Sequence, residues 1–357
     1  MSLVKPRATV FALAGIALAA LLTPPALAEV NFTGKTITIV ISSNTGGGTD
    51  NMARLVGRYL RNYLPGKPTV IYQNIPGAGG IKALNYFVQQ AKPDGLTTIV
   101  GSASNLDPTI IRNPSVQYDT RKLLMYGGFP APSGVLILRK DAVRRFNDKM
   151  LPPAIMGDEN AVRTSDQMAV WGPAYLNWNV RWVLGYPSSS EIILAAERGE
   201  VDLVATYERN LIGRMEKSGA FTYVAQTGEP KDGKLVRSAR FADVPVFSDL
   251  IRDKLKDEPE IEAFKAWETL AQIGKWGALP PGTPAEFVDA YRRAFSQLVN
   301  DKQFISEAPA TLGEGFTTAT GEEMQQVTLN ADAISNHTLK FFDQLRERVG
   351  IHIEEKK

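Results

Sequence analysis

Between residues 35 and 41 the chain reads KTITIVI, an alternation of polar and branched apolar positions that predicts a strand. Glycines 46–48 interrupt it, and Ala53, Val56, Leu60 and Tyr63/Leu64 then recur at helical spacing. Thr49 or Asp50 can cap this helix, and Leu64-Pro65-Gly66 ends it. The same rhythm returns at once. Pro68–Tyr72 predicts a strand, NIPGAGG (74–80) a turn, and Ile81, Leu84, Val88 and Ala91 the buried face of a second helix. Pro93-Asp94-Gly95 is a strong turn, followed by the strand LTTIVG and a third loop, SASNLDP (102–108). Such units predict a parallel sheet in an α/β domain.

YGGFPAPSG (126–134) is rich in glycine and proline and predicts a crossing to a second domain, where the strand VLILR (135–139) begins. A second α/β pattern follows. PPAIMG, NVRWVLGY and VDLVATY (201–207) predict strands, and Asp166–Tyr175 and Glu191–Arg198 predict helices, whereas 228–240 has the character of polar loop. WGALPPGTPAEFVDAYRRAF (276–295) predicts a strand end, a turn and a helix with Thr283 as cap and Pro284 at its first position. The expected organisation is therefore a signal peptide at 1–28, domain 1 at 29–129, domain 2 at 130–271, and a return to domain 1 with C-terminal helices at 272–357. Two such domains leave a cleft between sheets, faced by loops at strand C-termini.

Composition sharpens this picture. Lys5 and Arg7 precede an apolar stretch from Val10 to Leu22, and Ala26-Leu27-Ala28 supplies small residues, the pattern of a secretory signal cleaved after Ala28. No later segment offers 18 uncharged apolar residues, so the mature protein is expected to be exported and not membrane-embedded. Cysteine is absent, which excludes disulfides, thiol catalysis and a lipidated cysteine anchor; a bacterial periplasm fits. Without Lys5 and Arg7 the 38 remaining basic residues equal the 38 acidic ones. No long basic run suggests nucleic acid.

The glycine loops are the candidate chemistry. No lysine follows Gly48 as a phosphate-binding P-loop requires, and GGGTDN is not a dinucleotide fingerprint. Backbone N–H groups at glycines and at a helix N-terminus can instead grip a carboxylate. Ser42, Ser43, Asn44 and Thr45 add donors, as do Ser102, Ser104 and Asn105. Tight βα turns with no ligand would use the same residues, and Asp50 suits a cap as well as a ligand contact. Trp171, Tyr175, Trp178 and Trp182 crowd one window and suit either a core or the wall of a cleft. Arg181 and Arg209 suit either the surface or a distal ligand carboxylate. His337 and His352, the only histidines, have no metal-ligand spacing, and no cofactor is expected. Glu197, Glu200 and Asp202 in AAERGEVD are read as helix-end solvation, so an enzyme is not expected.

Taken in order, ISSNTGGGTDNMARLVG (41–57), NIPGAGG, PDGLTTIV (93–100), GYPSSSEIILAAERGEVD (185–202), DVPVFSDL (243–250) and LPPGTPAEFVDAYRRAF (279–295) resemble the substrate-binding proteins of tripartite tricarboxylate transporters, the Bug or TctC type. The resemblance runs from about residue 35 to 300. It implies an α/β, two-domain Venus-flytrap fold with a mostly parallel sheet in each domain. It further implies a monomeric periplasmic receptor that closes on a small organic acid (a di-, tri- or aromatic carboxylate) and delivers it to an inner-membrane permease. A sensor docking on a membrane kinase, or an exported enzyme, are the alternatives. The carboxylate grip would fall to Ser43, Thr45, Gly47 and Thr49 in the first loop and Gly77, Ala78 and Gly79 in the second. Ser102 and Ser104 would extend the pocket, and Asp202 and Thr206 would lie near its second-domain wall. Four departures stand out: Asn44-Thr45 replace paired prolines, Ile75 replaces arginine, Leu203 replaces glycine, and MGDENAVRTSD carries Asp158 and Glu159 where glycine and serine are usual.

Overall fold

The computed structural model describes residues 1–2 and 30–351, apart from 160, 162, 163, 232, 233, 272, 314, 315 and 333. Residues 3–28 of the expected signal peptide, its cleavage point after Ala28, and the tail from His352 onward lie outside the described residues.

Two sheets organise the chain. Its strands are β1 (Thr36–Ile41), β2 (Thr69–Asn74), β3 (Thr97–Ser102), β4 (Leu124–Phe129), β5 (Val135–Arg139), β6 (Ala154–Asp158), β7 (Val180–Leu184), β8 (Leu203–Thr206), β9 (Phe221–Gln226), β10 (Glu229–Lys231), β11 (Lys234–Val236), β12 (Lys275–Leu279) and β13 (Ala319–Thr320). The first sheet has the order β13-β4-β12-β3-β1-β2 and the second β7-β6-β8-β5-β9. β10 and β11 form a separate hairpin inside the stretch expected to be loop. This is the two-domain α/β architecture expected, but with mixed sheets. β1 runs parallel to β2 and β3, whereas the returning strand β12 slots antiparallel between β3 and β4. In the second sheet β6 is parallel to β7 and β8, and β5, the first strand after the crossing, is antiparallel to β8 and β9. Apart from the short edge strand β13, which is antiparallel to β4, the antiparallel members are the strands that enter each sheet from the other domain.

Helix α1 (Gly48–Tyr63) turns Met52, Leu55, Val56, Tyr59 and Leu60 onto one face of the first sheet, where Tyr291, Phe295 and Leu298 of the helix Ala285–Leu298 meet them. Helix α2 (Ile81–Gln90) buries Leu84 and Phe87 on the other face with Ile99 and Trp276. A fully buried leucine such as Leu60 contributes roughly 2 kcal/mol of hydrophobic burial. Gly127 and Gly128, expected in the crossing, belong to β4 instead. A Cβ on Gly127 would stand 2.2 Å from the Phe295 ring, so glycine lets the helix lie on the strand.

In the second sheet, Leu136 and Leu138 of β5 face one core and Val135 and Ile137 the other. The first of these cores takes Trp171, Trp178, Phe264 and Trp267, and also Phe341, Phe342 and Leu345 of the C-terminal helix Asn336–Arg348. The chain therefore visits the first sheet with β12 and the helix Gly321–Asp332, then passes back to pack its last helix on the second. Arg112 ties that helix to the first domain by donating to Asn336 Oδ1 (2.5 Å) and the Ile334 carbonyl (3.2 Å). Among the described residues no helix is long and apolar enough to cross a membrane.

Candidate functional site

The parallel register sets Ile41 beside Asn74 and Val100, so the loops after β1, β2 and β3 emerge together at one edge of the first sheet. Across from them lie the ends of β6, β7 and β8. Between the two edges is a cavity of about 570 Å³, within the range of small-molecule sites.

Asn105 binds the three loops into one unit. It is 1% exposed. Its Oδ1 accepts from the Ser102 N–H (2.8 Å) and Ser42 Oγ (3.1 Å), and its Nδ2 donates to the Gly79 carbonyl (2.7 Å). A Cβ on Gly80 would lie 2.1 Å from that Nδ2, and Gly80 has φ +94°. Only glycine allows the approach.

Asp50 stabilises the first loop from within. Its carboxylate accepts from the Gly46 N–H (2.9 Å), Asn74 Nδ2 (2.9 Å) and Arg54 Nε (3.0 Å), and the residue is 1% exposed. Burial opposes its ionisation, but the bonds from Arg54, Gly46 and Asn74 together outweigh it and hold the carboxyl below the usual aspartate range. Gly47 caps α1 without a side-chain hydrogen bond, and Gly47, Gly48 and Thr49 line the cavity at the positive end of the helix. In the second loop Gly77, Ala78, Gly79 and Gly80 all have positive φ. The Gly80 N–H is taken by the Gly77 carbonyl (3.1 Å), which leaves the N–H groups of 77–79 as the backbone donors this turn can offer an anion.

The cavity brings together Ser43, Gly47, Thr49, Gly77, Ala78, Gly79, Ser102, Ser104 and Thr206 from the residues expected at the site. Two others lie elsewhere. Thr45 is exposed at the loop tip and does not line the cavity. Asp202 sits at the opposite end of β8 from Thr206, where its carboxylate accepts from Arg145 Nη2 (2.8 Å) and the Ile155 N–H (2.9 Å). It ties β6 to β8 and does not face the cleft. The tryptophans are core: Trp171 is fully buried against Tyr175, Phe264, Phe341 and Phe342. Arg181 is exposed, and Arg209 lies over the Phe241 ring (5.0 Å), its pKa lowered by burial; neither lines the cavity.

The departures have separate placements. Ile75 packs partly buried against the α2 core, and Leu203 is wholly inside the second-domain core. Asp158 is buried and its Oδ2 accepts from the Ala161 N–H (2.7 Å), whereas Glu159 lines the cavity. Asn44 crosses the cleft: its Nδ2 donates to the Pro187 carbonyl of the second domain. Two charged lining residues escaped the sequence reading for different reasons. Glu208 lies two residues beyond Thr206, past the predicted strand end. Lys275 sits at the start of β12, and because β12 runs antiparallel, its N-terminal end faces the cleft. A search confined to strand C-termini misses it.

No family model matches the chain, and no curated protein matches it by sequence. Solved structures do. The periplasmic binding protein BugD aligns over 87% of this chain and 97% of its own at 20% identity, with a TM-score of 0.65. MatC of Rhodopseudomonas palustris with bound malate aligns over 85% and 98% at 18% identity (TM-score 0.62). An R. palustris protein with adipate aligns over 88% and 97% at 15% identity (TM-score 0.66). At these identities the likeness is one of fold, and the fold is that of two-domain periplasmic binding proteins.

Proposed function

We propose that this chain is a periplasmic solute-binding receptor of the tripartite tricarboxylate type, whose two domains close over a small organic acid and present it to an inner-membrane permease. The observation that carries this reading is the cavity between the domains, walled on one side by three backbone-rich loops held in register by Asn105. Positive-φ N–H groups of the second loop and the positive end of α1 offer an anion dipoles without full side-chain charge. The ordered motifs and the malate- and adipate-bound fold relatives support the same class of ligand, with aliphatic and aromatic acids both admitted. Catalysis finds no support in the carboxylates singled out from the sequence. Glu197 pairs with Arg214 on the surface and Asp202 with Arg145.

Native mass spectrometry of the mature protein, purified without denaturation, is the direct test. The expected result is a discrete small-molecule adduct, displaced by an added carboxylate with a measurable heat. No adduct, together with no calorimetric binding across a broad panel of acids, contradicts the proposal. Membrane pull-down with the liganded protein tests delivery separately. Recovery of a permease is expected, and recovery of a signalling kinase alone contradicts that part.

A further inference from the structure

Glu208 stands where the cleft closes. It comes from the second domain, just after β8, and lines the cavity opposite the first loop. Its backbone N–H donates to Thr206 Oγ1 (3.1 Å), and its carboxylate makes no hydrogen bond among the described residues. A Cβ built on Gly48 would lie 2.9 Å from Glu208 Cδ and 3.0 Å from Oε1, so the carboxylate stands against the first turn of α1. The positive pole that a ligand carboxylate would otherwise take already faces a negative group of the protein. The other acid of the first loop, Asp50, is turned away into its bonds with Arg54, Gly46 and Asn74.

The second loop is different. Lys82 folds over it, with Nζ 3.3 Å and Cδ 2.9 Å from a Cβ built on Gly77. This puts an ammonium beside Gly77 at the start of the positive-φ run 77–80, although Lys82 is exposed and does not itself line the cavity. The two glycine loops thus differ in charge: one faces a free carboxylate, the other has a cation at hand.

We propose that Glu208 sets the ligand class, and that the cleft takes an amino-bearing carboxylic acid. In this arrangement the second loop receives the carboxylate and Glu208 receives the ammonium. An ammonium meets Glu208 as a charge-assisted hydrogen bond, whereas the far end of a plain dicarboxylate meets it as a like charge in a partly enclosed space. This inference rests on the receptor reading above and narrows its ligand.

Calorimetry with matched probes tests it: succinate, glutarate and adipate against aspartate, glutamate, 4-aminobutyrate and 6-aminohexanoate, on the wild type and Glu208→Gln. The variant exchanges only a carboxylate for an amide at a cleft surface, and circular dichroism checks that it is folded. The expected result is binding of one or more amino-bearing probes, weakened on the order of tenfold or more by Glu208→Gln. Preference for the plain dicarboxylates, with affinity that rises in Glu208→Gln, overturns the inference and leaves the receptor reading standing. Amino-bearing probes that bind equally to both proteins overturn the role of Glu208. Failure of every probe on both proteins overturns this inference, and the receptor reading is then decided by the native mass spectrometry and the broad acid panel.

Discussion

Replacing Asn105 by alanine removes three hydrogen bonds at once, and each of them reaches a different loop. A neutral intramolecular hydrogen bond contributes about 1 kcal/mol net, and a buried donor left unpaired costs about 1–3 kcal/mol. The Ser102 N–H is the donor that would be stranded. Water entering from the cavity can recover part of the loss, so the expected destabilisation is about 3 kcal/mol by urea unfolding. Hydrogen exchange should rise together at 42–48, 77–80 and 102–106, since one side chain holds all three. Asn105→Asp provides the control within the same site. It keeps the acceptor for Ser42 and Ser102 but sets a carboxylate against the Gly79 carbonyl, so exchange should rise mainly in the second loop. An Asn105→Ala protein within about 0.5 kcal/mol of wild type, with unchanged exchange at the loops, refutes the reasoning.

Other substitutions probe neighbouring claims. Gly80→Ala must place a Cβ 2.1 Å from Asn105 Nδ2 at φ +94°, so it should destabilise by about 2 kcal/mol or more and loosen the second loop; wild-type stability would contradict the close approach. Trp171→Ala should cost about 3–5 kcal/mol while ligand affinity in the folded protein stays the same, because the ring is core. A large affinity change without a stability change would return it to the cleft. Asp50 has a folded pKa below its unfolded value, so its contribution is complete above about pH 4 and is lost as pH falls through the folded value. The stability gap between wild type and Asp50→Asn should accordingly shrink on acidification in urea titrations, and a gap that is constant from neutral pH to pH 2.5 contradicts the sign.

Local patterns revealed what is local in this molecule. The alternation at 35–41 and the helical spacing after Gly48 led to β1 and α1, because each element buries a face that its own sequence must encode. Strand order was not legible. Nothing in KWGAL says that it enters between β3 and β4, since a central strand is apolar whichever way it runs. The same ignorance hid Lys275. Asn105 offers a donor in the sequence, but in the fold its Oδ1 and one of its two amide N–H groups serve the loops while the residue still lines the cavity; sequence gives hydrogen-bonding capacity but not who uses it. Trp171 lay in a helix that is apolar all round, which marks burial more than a cleft wall. Asp202 and Thr206 fell close together in sequence, yet a four-residue strand separates them by about 13 Å, and only Thr206 reaches the cleft.

The central claim is closure over a ligand, and the distance between the domains measures it. The sequence has no cysteine, so spin labels at Lys92→Cys and Lys217→Cys, exposed positions of the first and second domains, report without background. With ligand, the account predicts one narrow distance, the one at which Asn44 reaches the Pro187 carbonyl; stripped of ligand, the distribution should broaden and shift to longer values. An identical distribution with and without a ligand shown to bind would contradict a receptor that works by closing.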